Sequence, residues 1–172
     1  MTPRVVLFGP MGIGKTTAIR ALCGDTVVDC DVPNLDVGAH HKETTTVGAE
    51  FGIVCLSNHE ELHVYGSPGQ ERFGFLRQWL LSSAVGTLVL VDINQPGALP
   101  YATELVAQVQ RLAPGAATVV LSARPAPQAM LTSFSRQLAD HAGMAIPVLA
   151  VDVREPDQMF NALELLVAVL PD

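Results

Sequence analysis

The chain has 172 residues, of which 49% are hydrophobic and 16% are charged, so it has ample apolar material for a buried core. Its formal net charge of −7 argues against non-specific binding to nucleic acid or to anionic lipid. Three cysteines without a C-x-x-C pair favour reduced thiols in a cytoplasmic protein. With no apolar run as long as a membrane span and no lipidation signal, we expect a single domain over residues 1–172 and no direct membrane anchor.

The segment 9–16 reads GPMGIGKT and matches the phosphate-binding pattern G-x-x-x-x-G-K-[ST]. Its glycines allow positive φ, so the backbone N–H groups can surround an anion. Lys15 supplies a positive charge for the β- and γ-phosphates, and the Thr16 hydroxyl is a suitable Mg²⁺ ligand. The segment lies between a predicted strand and a predicted helix, as a phosphate loop requires. The residues expected to bind the nucleotide here are Gly9, Met11, Gly12, Ile13, Gly14, Lys15, Thr16 and Thr17.

The remaining hydrophobic patterns, in chain order, alternate between strands and helices. After a long irregular stretch at 24–46, a hairpin is predicted around the turn at 58–60. Strands are expected at residues 4–8, 47–56, 61–65, 86–92, 117–121 and 146–151. Helices are expected at residues 17–22, 76–81, 99–112, 128–142 and 156–170. This order predicts an α/β, doubly wound, three-layer fold with a mostly parallel six-stranded sheet and one antiparallel hairpin strand.

Two further segments carry a resemblance to a known family. Residues 66–73, GSPGQERF, resemble the D-x-x-G-Q-E-R-F switch II segment of Ras-superfamily small GTPases. Residues 46–51, TVGAEF, resemble the T-I-G-x-x-F around the switch I threonine. The chain is therefore similar to P-loop NTPases of the small GTPase type, and most resembles bacterial Ras-like GTPases of the MglA type and their uncharacterised relatives.

The resemblance implies roles for individual residues. Thr46 would close on Mg²⁺ and the γ-phosphate, Gly69 would donate its N–H to the γ-phosphate, and Gln70 would orient the attacking water. It thus implies catalytic roles for Gln70, Lys15 and Thr46, and Mg²⁺ ligation by Thr16 and Thr46. From the residues alone, Gln70 is also compatible with an ordinary exposed loop position. The register at Thr46 stays open because two further threonines precede it.

The implied function is a molecular switch that binds and slowly hydrolyses GTP with Mg²⁺. The implied partners are a guanine nucleotide and a Roadblock/LC7-type regulatory protein or another effector at the switches. Slow turnover is expected because Met11 would crowd the approach of an arginine finger. Two alternatives remain at this point: a pseudo-GTPase that acts as a protein-interaction module with weak or no hydrolysis, and an ATPase or nucleotide kinase on the same loop.

The chain departs from the family pattern at the cation and at the base. Gly66 stands where the family has the aspartate that holds Mg²⁺ through water. The guanine-reading N-K-x-D is absent, since Ala123, Arg124 and Ala126 take the places of its Asn, Lys and Asp. Arg124 can still stack on a base. Asp152 is a candidate substitute for guanine recognition, with a capping role at the end of a strand as the other interpretation.

Overall fold

The computed structural model describes residues 2–33, 44–68 and 74–171, with the side chains of all of these except 29–49. The strands are β1 Arg4–Phe8, β2 Val28–Pro33, β3 Thr44–Cys55, β4 Glu61–Gly66, β5 Ala84–Val91, β6 Ala117–Ser122 and β7 Val148–Ala150. The helices are α1 Lys15–Cys23, α2 Gly74–Leu81, α3 Ala98–Leu112, α4 Gln128–Ala142 and α5 Pro156–Ala168, with a 3₁₀ turn at Gly24–Thr26.

The described strands form one sheet in the order β2-β3-β4-β1-β5-β6-β7. All pairs from β4 to β7 are parallel, whereas β3 runs antiparallel to both of its neighbours. The predicted mostly parallel, doubly wound α/β fold with one antiparallel hairpin strand is confirmed. The sheet has one strand more than the six expected, because Val28–Pro33, in the stretch predicted to be irregular, pairs with β3 as an edge strand.

Helices cover both faces of the sheet and create two apolar cores. On one face, α1 and α5 pack over a cluster that includes Leu7, Ile19 and Leu163, all fully buried. On the other face, α2, α3 and α4 pack over a cluster that includes Phe8 and Leu80. The last four residues of β1 are all buried, with Leu7 on one face of the sheet and Phe8 on the other, so this central strand needs apolar side chains on both of its faces.

The strand order reverses at β1, because β2 to β4 lie on one side of it in the sheet and β5 to β7 lie on the other. Open α/β sheets bind ligands outside the carboxyl ends of the strands at such a switch point. The glycine-rich segment 9–16 begins directly after β1, so the fold delivers it to this position. No helix in the described part of the chain is both long and apolar enough to cross a bilayer.

Candidate functional site

The loop after β1 is shaped by three glycines. Gly9 packs so closely that a Cβ atom there would lie 2.7 Å from Cγ2 of Ile13. Gly12 and Gly14 adopt φ values of 79° and 115°, which residues with a side chain rarely adopt. Since α1 begins at the next residue, Lys15, the unpaired N–H groups of its first turn are available to an anion held by the loop.

The side chain of Lys15 folds back over the loop. Its Nζ donates hydrogen bonds to the carbonyl oxygens of Gly9, at 2.6 Å, and of Pro10, at 3.0 Å. Burial lowers the pKa of Lys15 from its ordinary value, and the nearby carboxylate of Glu50 opposes that shift. Phosphate oxygens would offer the ammonium stronger, charge-assisted hydrogen bonds than carbonyls do. Lys15 is therefore held at the position from which it can bind a phosphate.

Thr16 and Thr17 lie exposed on the first turn of α1. That turn contains no acidic residue, which would compete with a phosphate for the positive end of the helix. The Thr16 hydroxyl is thus free of the core and beside the loop, as its predicted role requires. Met11, at the tip of the loop, is 70% exposed and packs into neither core.

Arg124, which follows β6, is tied to the phosphate loop. Its Nη1 donates to the carbonyl oxygen of Ile13 at 3.1 Å, and its Nη2 donates to that of Gly12 at 3.3 Å. Nη1 also donates to the carbonyl of the preceding residue, Ala123, at 2.8 Å, so the side chain folds back on the end of β6. These contacts fix the planar guanidinium at the rim of the loop, where a flat ring can stack on it.

A cavity of about 630 Å³ opens between the phosphate loop and the ends of β6 and β7. This volume lies in the range typical of small-molecule sites. It continues directly from the loop, so a molecule whose phosphates occupy the loop would place its remaining part here. Residues lining the cavity include Gly12, Gly14, Thr17, Ser122, Arg124 and Asp152.

Asp152 lines this cavity, but its carboxylate is engaged by Arg154. Oδ2 accepts from Nη2 of Arg154 at 2.7 Å, and Oδ1 accepts from its Nε at 2.9 Å and its backbone N–H at 3.0 Å. These hydrogen bonds lower the pKa of Asp152 to about 2. A carboxylate has about four acceptor sites, so Asp152 retains little capacity for a base unless Arg154 moves.

Glu50 was not among the residues predicted for the site. It pairs with Gly66 across β3 and β4, and only 9% of its surface is exposed. Strand alternation places Glu50 on the same face of β3 as the buried Val54. A charged residue on a buried face of a strand is the sequence feature that could have identified it. A Cβ atom built on Gly66 would lie 3.7 Å from Oε2 of Glu50.

Three of the predicted residues, Thr46, Gly69 and Gln70, have no described contact with the loop. The backbone of Thr46 lies in β3, four residues before Glu50, and pairs with Asp31 of β2. At the rise of an extended strand, Thr46 is about 13 Å further along β3 than Glu50. Gly69 and Gln70 lie outside the described residues, and their roles stay predictions.

Side chains of the described residues alone do not enclose a metal. No group of three or more His, Cys, Asp or Glu residues able to hold an ion occurs within the described ranges. Mg²⁺ commonly binds through one or two carboxylates, substrate phosphates and water instead of a full protein cage. The exposed hydroxyl of Thr16, which directly follows the loop, and the buried carboxylate of Glu50, whose charge acts on Lys15, fit such a shared site.

Asp92, at the end of β5, caps that end of the strand. Its Oδ1 accepts from the backbone N–H of Asn94 at 3.1 Å and from the Asn94 side chain at 2.8 Å. Nδ2 of Asn94 also donates to the carbonyl of Pro125 at 3.0 Å, which joins the strand end to the loop that carries Arg124. Asp92 therefore has a structural role, since its hydrogen bonds order the turn after β5.

A glycine-shaped loop between β1 and α1, a lysine poised over it and an adjoining cavity at the switch point define a P-loop nucleotide-binding domain. Comparison with known proteins makes this more specific. The Ras family model matches residues 4–126, most of the chain, and the protein belongs to the Ras family.

Two curated proteins are similar to this chain, and one of them carries a Ras-related name. A protein of Echinococcus multilocularis named as a probable Ras-related protein Rab-4A is 30% identical over 121 residues, which cover 69% of this chain and 49% of the relative. An uncharacterized protein of Methanocaldococcus jannaschii is 26% identical over 92 residues, 54% of this chain and 52% of the relative. The chain thus spans about half the length of the curated relatives that it matches.

Proposed function

We propose that this protein is a nucleotide-dependent switch that binds GTP with Mg²⁺ and hydrolyses it slowly. The observation that carries the proposal is the phosphate loop with Lys15 held on its carbonyls at 2.6 and 3.0 Å. In this proposal Lys15 and the N–H groups of the loop bind the phosphates, and Thr16 is a ligand of Mg²⁺. The metal would neutralise charge on the phosphates, which is most of what phosphoryl transfer requires.

Hydrolysis is proposed to depend on residues that the switches supply. Gln70 orients the attacking water, and Gly69 donates its N–H to the γ-phosphate. Thr46 closes on Mg²⁺, which requires the leading part of β3 to leave its place beside β2. Such a rearrangement of a segment that senses the γ-phosphate is how a nucleotide switch signals its state. The exposed Met11 at the tip of the loop would obstruct an arginine supplied by a partner, so turnover is slow.

The base is proposed to lie in the 630 Å³ cavity, against the guanidinium plane of Arg124. Stacking of this kind holds purines without distinguishing guanine from adenine. Discrimination would come from Asp152, because a carboxylate accepts the two N–H groups that only guanine presents. This requires the Asp152–Arg154 pair, joined at 2.7 Å, to open when the base enters.

The proposed partners are effectors that contact the switches. The MglA-type resemblance, which includes the proline before the switch II glycine and the missing aspartate, favours a Roadblock/LC7-type regulatory protein. A single domain over residues 1–172, acting in the cytoplasm, completes this proposal.

Calorimetric titration with GDP, GTPγS, ADP and ATPγS, each with Mg²⁺, tests the proposed function. Guanine nucleotides should bind at micromolar or lower Kd. Asp152→Ala should weaken GDP binding and leave ADP binding unchanged, and Asp140→Ala, on the exposed surface of α4, is the matched control. Equal affinity for GDP and ADP in the wild type would remove guanine specificity. If none of the four nucleotides binds, the alternative of a pseudo-GTPase that acts as an interaction module remains.

A further inference from the structure

The loop that should bind phosphates has a buried carboxylate as its neighbour. Glu50 is 9% exposed, and its charge is near enough to Lys15 to oppose the effect of burial on that lysine. A carboxylate beside a triphosphate would repel it and weaken binding. The arrangement favours binding only if a cation lies between the two negative groups, and oxygen ligands of this type suit Mg²⁺.

The position of Glu50 also matches a specific deficit of the sequence. Gly66, at the end of β4, is where the resemblance implies an aspartate for Mg²⁺. Glu50 is the cross-strand partner of Gly66, and its Oε2 lies 3.7 Å from the place of a Cβ atom on that glycine. The same Cβ would lie 2.5 Å from Cδ1 of Ile19, so isoleucine fills part of the space that a side chain at 66 would need.

We propose that Glu50, on β3, supplies the carboxylate of the Mg²⁺ site that Gly66, on β4, cannot supply. The negative charge is on the residue of the neighbouring strand that pairs with Gly66. Ile19 fills part of the space that an aspartate side chain at position 66 would occupy. This inference rests on the proposed nucleotide binding and assigns one ligand group of that same site.

The first test is the Mg²⁺ enhancement, defined as the ratio of the Kd for a fluorescent GDP analogue in excess EDTA to the Kd in excess Mg²⁺. Glu50→Gln keeps the shape and removes the charge. It should reduce the enhancement by about 10- to 100-fold, the range typical when a carboxylate that supports a metal site is lost. The Kd of this variant in EDTA should equal that of the wild type or be lower, because a negative charge beside the phosphates has been removed.

Glu61→Gln is the matched control, since Glu61 is exposed at the opposite end of β4. It should leave the enhancement unchanged. If Glu50→Gln weakens binding equally in EDTA and in Mg²⁺, Glu50 serves Lys15 or the fold, and the inference is overturned. A wild type that binds no GDP analogue in EDTA or in Mg²⁺ overturns the proposed nucleotide binding itself and is recognised by that result alone.

A second test keeps Glu50 and therefore does not depend on whether Glu50→Gln folds. Gly66→Asp combined with Ile19→Val restores the family carboxylate and removes the Cδ1 atom in its way, with Ile19→Val alone as the reference. Since the site already has its carboxylate, the Mg²⁺ enhancement should change by less than about threefold, far below the effect of a lost metal-site carboxylate. A gain of tenfold or more would show that the site lacked one and would overturn the inference.

Discussion

Lys15 illustrates how a single residue is prepared for its ligand. Its ammonium is partly buried, which lowers its pKa, and carbonyl oxygens of its own loop satisfy it in place of water. A buried ammonium without partners would be costly, so the hydrogen bonds to the loop carbonyls offset part of the cost of its burial. An incoming phosphate needs only to replace the carbonyl of Gly9 or Pro10.

Replacing this side chain tests whether the loop is the site. Lys15→Ala should weaken triphosphate binding by at least about 100-fold, because hydrogen bonds to charged groups contribute about 1.5–3 kcal/mol each and the ammonium can donate more than one. Arg20→Ala, on the exposed side of the same helix, is the control and should leave affinity unchanged. Calorimetry with GTPγS and Mg²⁺ measures both, and an unchanged Kd in Lys15→Ala would exclude the loop.

At the scale of elements, α1 and β3 meet through a very close contact. A Cβ atom on Gly52 would lie 2.5 Å from the Cβ of Cys23 and 2.6 Å from its Sγ. Both atoms belong to the buried last residue of α1, so neither can move aside freely. Because α1 carries Lys15 and Thr16 at its other end, this contact helps to set where the helix begins relative to the sheet.

Gly52→Ala should therefore destabilise the protein by about 1–3 kcal/mol, the usual cost of overpacking a well-packed core. Gly115→Ala is the matched control, because a Cβ there would meet nothing within 4 Å. Chemical denaturation of both variants gives the free energies of unfolding. If Gly52→Ala were as stable as the control, the close approach of α1 to β3 would be wrong.

The sequence predicted the parallel core and the phosphate loop because both depend on local patterns. Continuous apolar runs such as β5 and β6 and the spacing of the glycines around Lys15 are visible without a partner. The edge strand β2 was missed, since its aspartates and Pro33 are depleted in strands and only pairing with β3 makes it extended. Glu50 was missed because its significance depends on Gly66, which is distant in sequence and adjacent in the sheet.

At the scale of the whole molecule, the site joins segments that are far apart in the chain. The phosphate loop follows β1, Arg124 follows β6, and Asp152 follows β7, yet all line one cavity. The hydrogen bonds from Arg124 to Gly12 and Ile13 already join two of these segments without a ligand. A bound nucleotide would add contacts to every segment, so its binding should be linked to the stability of the entire fold.

This linkage predicts that a bound nucleotide raises the melting temperature, Tm, of the protein. A ligand at 100 times its Kd stabilises the folded state by about 2.7 kcal/mol. At roughly 2–4 °C per kcal/mol for a chain of this size, GDP with Mg²⁺ should raise Tm by about 5–10 °C. Calorimetric or fluorescence melting curves measure the shift, with Lys15→Ala as the control that should show almost none.

The ordering of the shifts separates the contributions of phosphate, base and metal. At equal concentrations, GDP should stabilise more than ADP if Asp152 reads the base, and both shifts should fall together in Arg124→Ala if its guanidinium stacks on either purine. EDTA should reduce the GDP shift in the wild type, because the cation that screens Glu50 from the phosphates is removed. A Tm that responds to inorganic pyrophosphate as strongly as to GDP would mean that the cavity beside the loop contributes nothing to binding, and the proposed place of the base would then be wrong.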